Sequence, residues 1–326
     1  MKTDYDSPWK DILETYFQSA MELCFLKIAK QVDWDRGVQL LSKEFQKIVR
    51  RSELGRRNVD VLVQVWSRDG SKQWVLLHVE VQAQRDPEFP RRMFDYYSRI
   101  CQRYNRPVAS LAILADTHPD WKPTVFKQAL WGCQEELRFP VCKLIDVAKD
   151  ERRLLRSSNP FSIVVLAQIK ALETKGLLKQ RRVWKTTLVR LGYERNYTKK
   201  TILDLFSFVD WIMVLSKKLE RDFDREHARY EDSKGMKYVT GIERRGIERG
   251  RQEGRQEGRQ EGRQEGQAAA LQTAVIEVLE ARLGEVPYSL RETVGVENDL
   301  AVLKCWHRLA IQTPSLDAFQ QHLRKP

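Results

Sequence analysis

The sequence predicts an α/β fold built on a mixed sheet. Three observations carry that prediction. Two alternating apolar runs, at residues 59–66 and 75–82, flank a short segment containing Asp69-Gly70, which is a hairpin signature. Segments with a 3.6-residue apolar period lie before and after that hairpin. Strand-length apolar runs at 107–115 and 139–147 then follow, so helix, hairpin, helix, strand and strand alternate as in α/β domains.

The first helix starts at Asp6-Ser7-Pro8, a capping residue followed by proline in the first turn. Trp9, Leu13, Phe17, Ala20, Met21 and Cys24 give it one apolar face through about Lys30. A second helix is expected over 35–48, then a basic loop at 50–57. After the hairpin, 91–104 reads as a helix with Met93, Tyr97, Ile100, Cys101 and Tyr104 turned inward. From 150 to about 238 the pattern is helical, with segments at 161–173, 177–191 and 199–214 and a charged stretch to Asp232. Arg181, Arg182, Lys185 and Arg190 form a basic stripe there, expected to be a solvated helix face. Arg-Gln-Glu-Gly then recurs four times across 251–266. Glycine every fourth residue costs about 1 kcal/mol each in a helix. The segment therefore reads as a charged linker, or as a glycine-striped helix through which two chains associate. Helices at 268–283, 287–294, 298–311 and 315–323 suggest a small terminal bundle. These shifts divide the chain into a core (1–150), a helical extension (151–240), the repeat (241–267) and a helical module (268–326).

The hairpin carries the chemistry. If Trp66 pairs with Trp74, Asp60 falls opposite Glu80. The odd positions are aliphatic, and Asp60, His78, Glu80 and Gln82 share the other face. Directly opposed carboxylates repel. Two hard oxygen donors in that position suit Mg²⁺, with Mn²⁺ as a substitute, and the Val81 carbonyl adds a third oxygen between Glu80 and Gln82. Asp11 or Glu14 on the first helix is a further candidate carboxylate. The bland alternatives are a strand-capping role for Asp60 and a surface ion pair for Glu80 with Arg56, Arg57 or Arg92. His78 is expected to be a hydrogen-bonded wall residue rather than a base or ligand.

The 326 residues carry a formal net charge of +12, which favours a polyanionic partner, with nucleic acid the default. Five scattered cysteines without Cys-x-x-Cys spacing exclude a zinc framework and suggest a reducing compartment. No stretch approaches the ~20 apolar residues of a membrane span, and no apolar signal segment follows Met1. A cytoplasmic location with no membrane partner is expected.

An acidic residue at a strand start (Val59-Asp60), then Glu-x-Gln ending the next strand (His78-Val79-Glu80-Val81-Gln82), resembles the PD-(D/E)XK nuclease superfamily. With Ser7-Pro8-Trp9-Lys10, Arg92-Met93-Phe94-Asp95-Tyr96-Tyr97 and Tyr104-Asn105-Arg106-Pro107-Val108, the chain resembles more narrowly the recombination-promoting nuclease family, whose members are also called transposases. The glycine repeat and Leu283-Gly284-Glu285-Val286-Pro287 resemble a C-terminal module that accompanies it. The resemblance implies a restriction-endonuclease-like core and Mg²⁺-dependent DNA cleavage in recombination or mobile-element processing. Asp60 and Glu80 would be ligands, and Gln82 would stand where lysine is usual. A neutral amide stabilises phosphorane charge less well than lysine. That departure keeps open a DNA-binding protein without catalysis. The Arg-Gln-Glu-Gly array keeps open an assembly protein on a nuclease scaffold, and homo-oligomerisation would run through the repeat or the terminal helices.

Overall fold

The computed structural model describes residues 6–41, 59–68, 74–235, 266–297 and 299–323; the side chains of 6, 7, 59, 60, 74, 322 and 323 fall outside that description. The basic loop, the Asp69-Gly70 turn and nearly all of the glycine repeat lie outside the described residues. Contacts divide the chain into two units, one holding the described residues through 235 and the other those from 266 onward.

In the first unit, β1 (Gln39–Leu40), β2 (Val59–Trp66), β3 (Trp74–Gln82), β4 (Val108–Leu114) and β7 (Val141–Lys143) form one sheet in the order β1-β2-β3-β4-β7. β2 and β3 are antiparallel, whereas β3, β4 and β7 are parallel, so the sheet is mixed as expected. Val61, Val63 and Val65 of β2 and the odd positions of β3 join Leu111 and Ile113 in a face packed on α1 (Asp6–Thr15) and α2 (Phe17–Cys24). Behind them runs α7 (Phe161–Glu173), whose ten consecutive buried residues make it an all-round core helix. α8 (Leu178–Glu194), α9 (Lys199–Ile212) and α10 (Lys217–Lys234) share this same apolar cluster. The helical stretch after 150 is thus continuous with the sheet's core.

The opposite sheet face is covered too. α4 (Phe89–Tyr104) lays Phe89 and Met93 on Ala112 and Leu114. Its buried stripe is Phe89, Arg92, Met93, Tyr96 and Ile100, so Tyr96 takes the inward position expected for Tyr97. Asn105, in the left-handed region at φ 47°, ends the helix and turns the chain into β4.

Three expectations are corrected. The first helix is broken at Tyr16 (φ −114°, ψ 36°) and again at Phe25 (φ −136°, ψ 50°), giving α1, α2 and α3 (Leu26–Ala29). The break allows Tyr16 to donate to Asp204 Oδ2 at 3.0 Å, a contact that lies 188 residues away. Over 35–41, the described part of the helix expected at 35–48, there is no α-helix: Gly37 (φ 80°) redirects the chain, and β1 pairs Gln39 with Gln64, while 42–48 lie outside the described residues. The run at 139–147 is strand only over β7 and then turns into α5 (Leu144–Val147). Between β4 and β7 stands a hairpin that the sequence did not announce, β5 (Val125–Leu130) with β6 (Cys133–Arg138).

The second unit is a small helical bundle: α11 (266–283), α12 (Tyr288–Val296), α13 (Leu300–Gln312) and α14 (Leu316–Leu323). Val275, Leu279, Val286, Leu290, Val294, Ala310 and Phe319 are its core, with Leu283, Trp306 and Leu309 packed on them. Gly284, at φ 86°, ends the first of these helices where the sequence placed the stop.

Candidate active site on the hairpin face

Register places the expected residues. Trp66 pairs with Trp74, and the backbone of Asp60 pairs with Glu80. The Asp60 side chain lies outside the described part of the structure. Across the parallel ladder Glu80 faces Ala112, and Gln82 faces Leu114, which in turn faces Lys143. Val81 lies between Val59 and Ile113, so its carbonyl belongs to the sheet interior.

Glu80 is 0% exposed. One carboxylate oxygen, Oε1, accepts from Arg92 Nε at 3.2 Å. The other, Oε2, is buried and accepts no hydrogen bond among the described residues. Arg92 extends the cluster: Nη2 donates to Gln82 Oε1 at 2.8 Å and Nη1 to Asp86 Oδ2 at 2.6 Å. One guanidinium therefore holds three side chains from the end of β3 and the following loop, a use of its fork that lysine could not match. Burial acts to lower the Arg92 pKa, but the charges of Glu80 and Asp86 outweigh it and hold it above its ordinary value. The Glu80–Arg92 pairing named among the alternatives does form, although within the protein rather than at its surface. Gln82 is also ordered on its other side, where Nε2 donates to the Gln84 carbonyl at 2.7 Å.

His78 is a buried wall residue. Its Nδ1 lies 3.2 Å from Ser110 Oγ, and its ring stands edge-on to Tyr96. Burial pushes its pKa down to about 3, so it is neutral near pH 7. Its Nε2 is 3.9 Å from Glu80 Oε2, beyond hydrogen-bond distance.

α1 packs on the aliphatic face, the side of the sheet away from Glu80, and the ion pair recorded for Glu14 is with Lys10 at 3.8 Å. Neither Asp11 nor Glu14 joins the Glu80 cluster among the described contacts. Near the strand ends on the Glu80 face, Lys143 Nζ bonds Asp116 Oδ2 at 2.6 Å and the Trp121 carbonyl at 3.2 Å. That buried pair is internally satisfied. Among the described residues no three His, Cys, Asp or Glu side chains gather as a ligand set. The donor chemistry nonetheless fits a hard dication in one respect: Glu80 offers a buried carboxylate oxygen without a hydrogen bond, on a strand paired with Asp60.

The basic stripe of α8 is not a solvated face. Lys185 is 0% exposed and bonds Asp210 Oδ1 at 2.6 Å and Glu220 Oε1 at 2.7 Å. Arg182 and Arg190 converge on Glu226, and Arg181 donates to the carbonyls of Ala171 and Val214. These cations are used to fasten α8 to its neighbours. Sequence periodicity identified the stripe but not its partners: the acids lie on α9 and α10, and the carbonyls that Arg181 meets are those of Ala171 on α7 and Val214.

No family model, curated protein or solved structure matches this chain. Among the described residues no helix is long and apolar enough to cross a membrane.

Proposed function

We propose that the protein is a Mg²⁺-dependent DNA endonuclease of the PD-(D/E)XK type, on a restriction-endonuclease-like core, acting in recombination or mobile-element processing. The observation that carries the reading is the Asp60–Glu80 backbone pairing together with the buried Glu80 oxygen that accepts no hydrogen bond among the described residues. Asp60 and Glu80 would hold the cation, which would supply Lewis acidity at a scissile phosphate and lower the pKa of a bound water; the Val81 carbonyl, inside the sheet, is not counted among its ligands. Arg92 fixes the Glu80 rotamer through Oε1 and leaves Oε2 for the cation. Gln82, held between Arg92 and the Gln84 carbonyl, can orient a water or phosphate oxygen by its amide, without acid–base work. The net charge of +12 supports a polyanionic substrate.

A metal-titrated cleavage assay on duplex DNA tests this. Wild type should nick or cut in Mg²⁺ or Mn²⁺, and Asp60→Ala and Glu80→Gln should each abolish the product while the circular dichroism is kept. Cleavage by either variant at the wild-type rate removes the assignment.

A second reading has one specific observation in its favour. The Arg92 cation already engages both Glu80 and Asp86, as a scaffold that holds these carboxylates without a metal would require. It predicts salt-sensitive DNA binding with no product at any metal concentration.

A further inference from the structure

The β5–β6 hairpin has no role in the fold that accounts for its tip. Its two strands pair from Val125–Arg138 to Leu130–Cys133, and the connection is the two residues Trp131-Gly132. Both have positive φ, 49° and 87°, as a type I′ turn requires. Asn, Asp or Gly suits the first of these positions; a bulky aromatic there is strained by about 1 kcal/mol or more. Trp131 gains nothing back from packing, since it is 96% exposed, and Leu130 beside it is 56% exposed. Beyond Phe126, nearly every residue of both strands is exposed, and the outer half of the ribbon, from Ala129 to Gln134, stands in solvent. Six residues per strand span about 20 Å.

The base of this arm is tied to the helix that serves the candidate site. Phe126 stacks on Phe94 of α4, with centroids 4.7 Å apart, and Arg91 Nη1 donates to Gln128 at 3.2 Å. Arg92, the next residue, holds Glu80. The arm's own charges balance: Lys127 and Arg138 both pair with Glu136, and Glu135 adds a negative charge. It therefore does not attract phosphates, and its distinctive group is an exposed indole.

We infer that the β5–β6 ribbon is a DNA-engaging arm that enters a groove and sets Trp131 against a nucleobase. The inference rests on the DNA-cleaving reading, and it adds a contact that the site itself lacks. A two-stranded ribbon fits the major groove, and aromatic or apolar wedges stack on or between bases. Stacking of one base on an aromatic side chain contributes about 1–3 kcal/mol and tolerates any sequence, because every base has a π-face. The ion-paired ribbon makes this contribution independent of salt, unlike the phosphate contacts that the rest of a basic protein makes.

The test uses full-length protein without divalent metal and fluorescein-labelled duplex and single-stranded DNA, read by anisotropy over a salt series. Trp131→Asn should weaken binding by about 5- to 150-fold on at least one of the two DNAs. The salt slope should be unchanged, and Trp131→Phe should keep most of the affinity. Asparagine is at home in the left-handed region, so the thermal midpoint of Trp131→Asn should equal or exceed wild type, which separates a lost contact from a damaged fold. Intrinsic fluorescence supplies the second readout: DNA should quench an emission component that Trp131→Phe lacks. Equal affinity of wild type and Trp131→Asn on both DNAs overturns the arm while leaving the cleavage reading intact. Wild type that binds neither DNA also overturns the arm, and the cleavage reading is then decided by the metal-titrated assay alone. A loss seen for Trp131→Asn only in membrane-vesicle or self-association assays assigns the tip to a different partner and also overturns the inference.

Discussion

Arg92 Nε donates to Glu80 Oε1 at 3.2 Å, joining a residue on α4 to a carboxylate that is wholly removed from solvent. The pair decides two properties at once: how the charge of Glu80 is tolerated inside the protein, and which of its oxygens remains for other chemistry.

Removing the guanidinium leaves Glu80 buried without its counter-charge. Arg92→Met should destabilise the protein by about 3–5 kcal/mol, the range for breaking a buried ion pair from one side. Arg92→Met combined with Glu80→Gln should recover much of that loss, because the uncompensated charge is gone. Urea denaturation of the single and double variants gives the coupling. Additive losses would show that the two residues act independently.

Cation binding at Glu80 should register in stability without any cleavage being measured. A ligand present at about 100 times its dissociation constant stabilises by about 2.7 kcal/mol, if it binds only the folded chain. Wild type should therefore melt several degrees higher in Mg²⁺ or Mn²⁺, and Glu80→Gln should melt at the same temperature with or without metal. A shift of the same size in Glu80→Gln would place the cation elsewhere.

His78 makes stability pH-dependent in a defined window. Its folded pKa is about 3, against an ordinary 6.5, because burial opposes the imidazolium. Between those values the unfolded chain binds the proton and the folded chain does not. Stability thus rises with pH through the window and is lost on acidification, by up to about 1.4 kcal/mol per pH unit for one proton. His78→Asn should flatten the pH dependence of unfolding free energy between pH 4 and 6 relative to wild type. Parallel curves would mean that His78 is not the residue responsible.

Lys185 holds Asp210 and Glu220 together between three helices. Burial pushes the Glu220 pKa up, and the Lys185 ammonium works against that rise. Lys185→Met should destabilise by about 3–5 kcal/mol at pH 7. The deficit should shrink as the pH falls toward 5, since protonating Glu220 removes the charge left without a partner. A deficit independent of pH would point to lost packing instead.

The legible parts of this chain are those with strong local signals. Alternation of period two, read on both sides of Asp69-Gly70, set the hairpin register, and the structure pairs Asp60 with Glu80 as that register requires. The run of apolar residues that makes the 161–173 helix, and the glycine that stops the helix at 283, were equally readable. The β5–β6 ribbon was not readable, because exposed strands have no aliphatic face to alternate and its turn is Trp-Gly rather than Asn-Gly or Asp-Gly. The breaks at Tyr16 and Phe25 were hidden for a similar reason: neither glycine nor proline marks them, and the Tyr16 partner lies far along the chain at Asp204.

Sequence alone thus determined which residues face one another across the central hairpin, since pleating and turn chemistry act between neighbours. Tertiary structure decided what each charge would meet. Arg92 came to Glu80, Gln82 and Asp86, and the α8 cations came to acids of α9 and α10. Those partners are chosen by the packing of distant elements around a common core, where an unpaired charge is costly, and no short-range pattern encodes them.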